Sequence, residues 1–561
     1  MRKTNIYVLM TSILILLLVP FSNLDGLVVS NATLANSGTI SYSPGSNLSY
    51  TIYQSGGVSY IQNSTGYIVY SNANANLAFS YAFSLVARGG SITVQAGTYT
   101  ADTTSILMQN CNNVRVTFQT GSLLTITNWA NVPVFQMKND TNCLISGITI
   151  DGNGANQNPF WGAIGVDMWD CSNCLVTNAN ITNCATYGFV TWDSVTGHLP
   201  NGITNSIITY CHHNGICLGT SYGLYTKGAY AVNNTIAYSS DVGITCYGQG
   251  NYVANNYLHD MTTTNGAENS FYGIAVEGNG YNLIEQNTLV NCPVGIILGT
   301  GTPPTGYTYK GNLVRNNNLA NCNTGIVLAD NGYNTITQNQ ITNWLSGGVN
   351  YTFGIRNTAG PNNIISFNTL INTGVVSGYG QSAIFLGNAG TTANDKSNCS
   401  ICNNTITTQL AVQDYGILLG GGSNNTIVEG NSIQAYTGIY IGTGISGYGS
   451  NGVCYNNRLN ENNFANCTKQ ITDQGINTLI LAPSNTSILT LNCPSINGAI
   501  TPLAGSYLES NSSQVTITLT PDSNYNSVLN VDGVNVTLTD NTYTLSMNRD
   551  HVVYAIFSTS E

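Results

Sequence analysis

Short runs of alternating aliphatic residues recur along this chain, and Asn and Gly residues bound each run. In Tyr281–Thr300, Asn287 stands two residues before Leu289. In the same stretch Gly295 precedes the alternating aliphatics that begin at Ile296. Runs of about four to six residues are too short, and of the wrong period, for helices. They therefore predict β-strands.

The Gly mark recurs every roughly 22 to 33 residues, at Gly165, Gly188, Gly215, Gly243, Gly273, Gly295, Gly325, Gly354, Ala383 (in place of Gly), Gly416 and Gly438. The Asn mark alternates with it, at Asn205, Asn234, Asn256, Asn287, Asn317, Asn339, Asn368, Asn404, Asn431 and Asn457. A propeller blade needs four strands in about 40 residues, whereas two or three short strands in about 27 make one coil of a parallel β-helix. Asn tolerates the left-handed backbone of a tight corner and can hydrogen-bond to the Asn one coil above. We therefore expect the Asn series to be a structural ladder.

This repeat is similar to that of the pectate-lyase-like superfamily, over roughly residues 95–470. The resemblance implies an all-β fold, a right-handed parallel β-helix of about 12–14 coils. It does not imply one function, because the superfamily contains lyases, glycoside hydrolases, epimerases, phage tailspikes and adhesins.

The sequence outside the repeat predicts a cap and a second domain. Asn76–Arg88 is typical of a short apolar helix, and it is followed by Gly89–Gly90 and the strand Ser91–Tyr99, an order that resembles the N-terminal cap of superfamily members. From about Ala499 the strands are longer and resemble small β-sandwich repeats of bacterial and archaeal surface proteins. We expect four segments: 1–26, signal peptide or N-terminal anchor; 27–94, lead-in and helical cap; 95–479, β-helix; 480–561, junction and β-sandwich.

The N-terminus indicates export. Ile6–Phe21 is a mostly apolar run that follows Arg2 and Lys3, as in a signal peptide. Since no clear cleavage site follows, a membrane anchor is the alternative. Glycosylation sequons lie at Asn31, Asn47, Asn63, Asn139 and Asn233. We expect an extracellular or cell-surface protein.

Charge narrows the choice of partners. Only 7% of the 561 residues are charged, and the net charge is −11. Nucleic-acid affinity comes mainly from Lys and Arg contacts with phosphate, so this composition argues against nucleic acid. The scarcity of Lys and Arg also disfavours an anionic membrane surface as a partner. Contact with a membrane is therefore expected only through the N-terminal run, if that run is an anchor.

The 15 cysteines raise the question of metal or disulfides. Cys171 and Cys174 form one C-x-x-C motif, and Cys399 and Cys402 form another. These motifs lie about nine coils apart, roughly 40 Å at ~4.8 Å per coil, so one ion cannot join them. Cys184 and Cys211 lie four residues before their Gly marks, and Cys292 and Cys322 lie three before, which favours buried, stacked thiols, with disulfides as the alternative. No metal-ligand motif is visible, and calcium stays open as a cofactor.

Aligning the Gly marks shows which outward side chains are neighbours. Four residues after the mark the chain reads Trp169, Trp192, Gly219, Tyr247 and Glu277, and one residue further on it has Asp170 and Asp193. Aromatic faces suit sugar rings, and carboxylates ~5 Å apart match a retaining glycosidase pair. We therefore take the aromatic residues and Glu277 as candidate substrate-binding residues.

The acids beside this stripe are candidate catalytic residues, with Asp167 on the same strand as a third member. We expect Asp193 to be a surface carboxylate at a turn. The alternative is that the tryptophans form a packing ladder under a loop. His213 and Asp241 share a register on adjacent coils, and such a contact orients an imidazole for base catalysis.

Motifs of the individual families are absent. The N-T-D, D-D, G-H-G and R-I-K motifs of polygalacturonases are missing, and Tyr187–Gly188–Phe189 lacks the Asp and His that follow in mannuronan epimerases. Two classes of function therefore remain. One is a protein that binds and cleaves polysaccharide as a hydrolase or lyase, and the other is a non-enzymatic surface adhesin or structural protein. In both, a polysaccharide or cell-surface glycan is the expected partner.

Overall fold

The structure is a computed structural model that describes residues 48–160, 162–219, 226–261, 271–278, 280–299, 310–329, 332–344, 352–372, 374, 380–387, 397–411, 414–442, 453–494 and 497–559. The apolar run Ile6–Phe21 and the sequons at Asn31 and Asn47 lie outside these residues. Within them, no helix has both the length and the apolar character needed to span a membrane.

The chain folds as a right-handed parallel β-helix in which each coil gives one strand to each of three parallel sheets. The strands of sheet 1 are Gly90–Val94, Val114–Phe118, Leu144–Ser146, Leu175–Thr177, Gly202–Thr204, Tyr230–Val232, Tyr252–Ala254, Leu283–Glu285, Leu313–Arg315, Thr335–Thr337, Ile364–Ser366, Ser400–Cys402, Ile427–Glu429, Arg458–Asn460 and Leu479–Leu481. The strands of sheet 2 are Gly97–Ala101, Ser122–Ile126, Thr149–Asp151, Asn180–Thr182, Ile207–Thr209, Thr235–Ala237, Tyr257–His259, Thr288–Val290, Asn318–Ala320, Gln340–Thr342, Thr369–Asn372, Thr405–Thr408, Ser432–Gln434 and Asn463–Phe464. The strands of sheet 3 are Ile106–Gln109, Phe135–Lys138, Val166–Trp169, Phe189–Trp192, Ile216–Leu218, Val242–Cys246, Tyr272–Val276, Val294–Leu298, Thr324–Ala329, Thr352–Ala359, Gln381–Leu386, Asp414–Gly420, Thr437–Gly442 and Lys469–Asp473.

Sheet 2 has 14 strands, so the described residues contain 14 complete coils, as the repeat predicts. The first coil begins at Gly90. One continuous apolar core fills the coils.

A helix and three strands close the N-terminal end of this core. The helix spans Ala75–Val86, and the Asn74 side chain accepts a hydrogen bond from the backbone N–H of Leu77. With Asn74 as the N-cap, the helix begins one residue before the start of the expected helix, Asn76–Arg88. Phe79 on its buried face meets the ring of Tyr99 edge-on. Part of the lead-in forms antiparallel strands, Ser49–Ser55, Val58–Asn63 and Ile68–Asn72, and the first of them pairs with Gly90–Val94 of sheet 1.

The asparagine ladder is confirmed at the corner between sheets 1 and 2. Asn256 Nδ2 donates to Asn287 Oδ1 at 2.9 Å, and Asn287 Nδ2 donates to Asn317 Oδ1 at 3.0 Å. The left-handed residue is the one before each ladder Asn, such as Gln286 with φ 57°, and not the ladder Asn itself. The ladder consists of Asn234, Asn256, Asn287, Asn317, Asn339, Asn368, Asn404, Asn431 and Asn462.

Two of the predicted ladder positions are wrong. Ser206 fills the place expected for Asn205, since its N–H donates to Asn234 Oδ1. Asn457 lies instead at the corner that leads into sheet 1, where its Oδ1 accepts from Thr426 N–H. That corner carries a second ladder, formed by Asn251, Asn282, Asn312, Asn334 and Asn363. Both corners are tight and buried, and an amide side chain satisfies their backbone groups.

The repeated Gly and Cys residues have packing roles. A Cβ at Gly295 would lie 2.4 Å from Leu319 Cδ2 and 2.6 Å from the carbonyl oxygen of Gly325, so only glycine fits. All 15 cysteines are free thiols, and most are buried, which confirms the prediction of buried core thiols.

The C-terminal segment is a sandwich of two sheets around its own core, which includes Ile517, Leu529 and Ala555. One sheet contains Thr486–Asn492, Gly505–Ser510, Tyr525–Val531, Val534–Val536 and His551–Thr559, and the other contains Gly498–Thr501, Gln514–Pro521 and Thr542–Ser546. Ser506 pairs with Ile471 of the last coil, so the first sheet continues sheet 3 of the β-helix.

Candidate functional site

Sheet 3 is the face of the β-helix that carries the long connections. Strands of sheets 1 and 2 follow each other closely, as Leu283–Glu285 and Thr288–Val290 do. By contrast, 14 residues separate Leu298 at the end of a sheet 3 strand from Leu313 at the start of the next sheet 1 strand. Long connections on a rigid scaffold are where binding sites usually lie. The outer face of sheet 3 is therefore the first place to look for a site.

The aligned outward residues do stack on adjacent coils of sheet 3. Trp169 pairs with Lys138 on one side and with Trp192 on the other. Their rings are stacked, with centroids 4.1 Å apart and planes 28° apart. The Lys138 ammonium lies 4.7 Å from the centroid of the Trp169 ring. Both indoles are partly exposed, and we call this pair the tryptophan platform.

Asp167 lies beneath the platform and does not face solvent, since it is 3% exposed. Its Oδ1 accepts a hydrogen bond from Trp192 Nε1 at 2.9 Å, and its Oδ2 accepts one from Gln136 Nε2 at 2.8 Å. Burial raises the pKa of this carboxyl above its usual range. With both oxygens accepting, Asp167 orients the indole of Trp192.

Asp170, Asp193 and His198 form a cluster at the end of the platform strands. One ligand-type atom from each residue lies within 4.8 Å of the others. His198 Nδ1 lies 2.8 Å from Asp193 Oδ1, and the N–H and O–H of Ser194 both donate to Asp170. Burial, and also the charge of Asp170, raise the pKa of Asp193.

Two features of this cluster differ from the expectation. Asp193 is buried, with 3% exposure, and is not a surface carboxylate at a turn, because its neighbours His198 and Thr226 lie against it. His198 was not predicted at all. It lies in the connection after the strand Phe189–Trp192, where there is no repeat register to reveal its contacts.

His213 and Asp241 do lie next to each other. His213 Nδ1 is 3.6 Å from Asp241 Oδ2 and 2.9 Å from Asn214 Oδ1. The ring of Tyr187 meets the imidazole edge-on, with centroids 5.1 Å apart. The predicted His–Asp contact therefore exists, at the start of the next two sheet 3 strands after the platform, Ile216–Leu218 and Val242–Cys246.

Gly219 stands between Trp192 and Tyr247 in the outward column and contributes no side chain there. It is buried, and a Cβ on it would lie 2.8 Å from the backbone N of Gly248. In β-sheet register the order of this column is Trp192, Gly219, Tyr247 and Glu277. Coils are ~4.8 Å apart, so the Trp192 and Tyr247 positions are separated by about 10 Å. Burial, and also the charge of Glu277, raise the pKa of Tyr247. This side of the platform thus has an aromatic residue and a carboxylate two and three coils away.

The later coils also carry aromatic residues on this face. They lie at other outward positions: Phe353, Phe385, Tyr415 and Leu418 form a buried cluster. The rings of Phe353 and Phe385 are 5.1 Å apart and stacked. Arg356 lies against them, with its guanidinium 5.1 Å from the Phe353 ring centroid.

Comparison with known proteins agrees on the fold. The profile of the family described as "Periplasmic copper-binding protein (NosD)" matches residues 120–310 and 259–384. No curated protein matches the chain in sequence. The chain is thus a right-handed parallel β-helix protein with similarity to this family in its central coils.

Solved structures similar to the chain are also distant in sequence. A tailspike protein of Escherichia coli bacteriophage HK620 in complex with a pentasaccharide is 13% identical, with a TM-score of 0.45, and the match covers 88% of this chain and 90% of that chain. The A-module of a mannuronan C-5 epimerase of Azotobacter vinelandii is 13% identical, with a TM-score of 0.33, over 73% of this chain and 96% of that one. An alginate lyase from Paenibacillus is 13% identical, with a TM-score of 0.37, over 54% of this chain and 97% of that one. At such identities the likeness concerns the fold alone.

Copper, which the family description names, binds best to thiolates, thioethers and imidazoles. Most of the thiols are buried, and burial raises the pKa of groups such as Cys174 and Cys217. In the part of the chain that the structure describes, Asp170, Asp193 and His198 are the one group of three metal-type side chains within mutual reach, and they offer a single imidazole. These residues do not fit a copper-selective site.

Proposed function

We propose that this chain is an exported protein that binds polysaccharide on the outer face of sheet 3, with the tryptophan platform as its main contact. The observation that carries the proposal is that Trp169 and Trp192 remain partly exposed although they are large and apolar and their strand is otherwise buried. A buried carboxylate, Asp167, accepts a hydrogen bond from one of them, Trp192. Burying a carboxylate costs free energy, so its use here supports a role for the indole orientation.

The side chains that follow the platform in the outward column support a sugar as the ligand. A pyranose ring stacked on an aromatic face is about as thick as one coil. Gly219 places no side chain between Trp192 and Tyr247, whose positions lie two coils apart. A ring over Trp192 would bring its hydroxyl groups toward Tyr247 and Glu277, which are polar groups of the kind that orient a sugar.

Cleavage of the bound chain is the second candidate function. It is favoured by the cluster of His213, Asp241 and Tyr187 at the start of neighbouring sheet 3 strands, since a His–Asp pair is suited to proton transfer. Asp170 and Asp193 are the other candidates, since a ligand-type oxygen of each lies within 4.8 Å of the other and a retaining glycosidase needs two close carboxylates. Their oxygens, however, accept hydrogen bonds from Ser194 or lie against His198, so we assign cleavage to the His213 cluster.

Binding is tested by affinity electrophoresis of the purified chain in gels that contain members of a neutral and acidic polysaccharide panel. We expect retardation by at least one polysaccharide, and its loss in the double variant Trp169→Ala/Trp192→Ala. The control is Tyr210→Ala, because Tyr210 stacks on Tyr238 at 4.8 Å on a different face and is 52% exposed. If the control and the double variant lose retardation equally, the platform is not the site.

Cleavage is tested on the retarding polysaccharide by assays of new reducing ends and of unsaturated products. His213→Gln should abolish product and leave retardation unchanged. If the parent gives no product but is retarded, the protein is a binder, and the His213 cluster has no catalytic role on that polysaccharide.

A further inference from the structure

We propose that Asp170, Asp193 and His198 bind a divalent cation of the Mn²⁺ type at the end of the tryptophan platform. The three side chains come from three places in the chain: the turns after two adjacent sheet 3 strands, and the connection that follows the second turn. Their ligand atoms all lie within 4.8 Å of one another, so the three side chains converge on one place.

The donor chemistry suits such an ion. Two carboxylates and one imidazole are ligands that Mn²⁺ and similar borderline ions accept, whereas Ca²⁺ takes six to eight oxygens. Ser194 donates to Asp170, and a carboxylate oxygen that accepts one hydrogen bond retains a second lone pair. A hydrogen-bonded carboxylate that also faces a cation is the usual arrangement around protein-bound metals.

Charge gives a second reason. Asp193 is buried, and the like charge of Asp170 lies close to it, so the two carboxylates repel each other in a poorly solvated place. Lys138, on the strand before Trp169, is directed over the Trp169 ring and forms no ion pair with either acid in the described residues. A divalent ion would neutralise both carboxylates.

Other His–Asp pairs of the chain show that this cluster is unusual. His259 lies 2.8 Å from Asp260, and His551 lies 2.7 Å from Asp532. Neither pair is joined by a second carboxylate in the part of the chain that the structure describes. The His259 pair therefore provides a matched control with the same contact and without the third donor.

The position suggests what the ion does, and this step rests on the proposed function. Asp193 directly follows Trp192, so a sugar seated on that indole would have its edge beside the ion. An ion with three protein ligands keeps coordination positions for other oxygens. We infer that vicinal hydroxyls or a carboxylate of the sugar complete the coordination shell of the ion. Glycan binding would then depend on the cation.

The first experiment measures Mn²⁺ alone, without glycan, by titration calorimetry and by the electron paramagnetic resonance signal of free Mn²⁺. We expect one Mn²⁺ per chain in the parent. Asp170→Asn should weaken binding at least about tenfold, as should His198→Gln, and Asp170→Asn/Asp193→Asn should abolish it. Asp260→Asn should bind Mn²⁺ like the parent. Equal Mn²⁺ binding by the parent and the double variant would overturn the proposal.

Folding of the variants is checked separately, since Asp193 is buried. The circular-dichroism band of the coupled, stacked indoles Trp169 and Trp192 should be retained in Asp170→Asn and His198→Gln. Either of these two variants then decides the question if the double variant does not fold.

The second experiment repeats the electrophoresis with the retarding polysaccharide in EDTA and after Mn²⁺ is restored. We expect EDTA to abolish retardation of the parent and Mn²⁺ to restore it. If EDTA does not change the retardation, the cation does not bridge the protein and the glycan. If no polysaccharide binds while Mn²⁺ still does, the proposed function fails and the cation site stands.

Discussion

The outer face of sheet 3 carries two aromatic clusters that differ in their exposure and in their neighbouring residues. In the earlier coils Trp169 and Trp192 are stacked, partly exposed and surrounded by acids. In the later coils Phe353 and Phe385 are stacked in the same way but are buried in an apolar cluster. Stacking of aromatic residues on adjacent coils is therefore a property of the repeat. Exposure and neighbouring polar groups distinguish a binding surface from a second core.

The largest expected effect lies in the buried cluster. Phe385→Ala should lower the free energy of unfolding by about 3–5 kcal/mol, because the ring is 1% exposed and its removal leaves a cavity. Polysaccharide affinity of the folded variant should be unchanged. Denaturant titration measures the free energy of unfolding, and affinity electrophoresis measures the polysaccharide affinity. A stability loss below about 1 kcal/mol would mean that the later cluster is not a core.

The platform should show the opposite pattern. Trp192→Ala should weaken polysaccharide binding by about 1–3 kcal/mol, the scale of a stacked aromatic contact. It should lower stability less than Phe385→Ala does, because the indole is partly exposed. Calorimetric titration with the retarding polysaccharide measures the affinity. If Trp192→Ala costs stability only, the two clusters do not differ in role.

The pH dependence of stability sharpens the comparison at the edge of the later cluster. Burial raises the pKa of Asp414 to about 6, and Gln381 Nε2 donates to its Oδ2 at 2.8 Å. The native state therefore binds more protons than the unfolded state between about pH 4 and 6, so the free energy of unfolding falls as pH rises through this window. After allowance for solvent screening, we expect about 1 kcal/mol for this group.

Asp414→Asn removes that titration and should flatten the stability profile between these pH values. Asp167 and Asp193 also have raised pKa values, so the variant should retain part of the slope of the parent. Urea unfolding at several pH values measures the slope. A steeper slope in Asp414→Asn than in the parent would contradict the assignment.

The smallest effect tests whether the later cluster has a ligand of its own. Arg356 Nε is buried without a hydrogen-bond partner in the part of the chain that the structure describes, and burial lowers the pKa of the guanidinium. Replacing a poorly paired buried charge with an apolar residue is often neutral or stabilising. Arg356→Met should therefore change stability by between zero and about +1 kcal/mol and leave polysaccharide affinity the same. Loss of affinity would move part of the site to the later coils.

Much of the fold could be predicted from the sequence because a β-helix repeats its local rules. The Gly marks stand where a Cβ would strike the next coil, as at Gly295, and the ladder Asn residues stand where a buried corner needs an amide. The error at Asn205 arose where one repeat departs from the pattern, since the Ser206 hydroxyl accepts from Ala179 N–H and donates to the Thr204 carbonyl in place of an Asn side chain. The order of Trp169, Trp192, Gly219 and Tyr247 on one face also follows from the register alone.

Only the tertiary structure decided which of these outward residues are exposed and what they contact. Register gives the neighbour on the next coil, but burial depends on the connections, whose paths have no period. Asp193 is buried because His198, five residues further along a connection, folds back to within 2.8 Å of it. Asp167 is buried because Trp192 and Gln136, from the two neighbouring coils, both donate to it. The repeat therefore determined where side chains stand, and the packing of non-repeated segments determined which of them are free to bind.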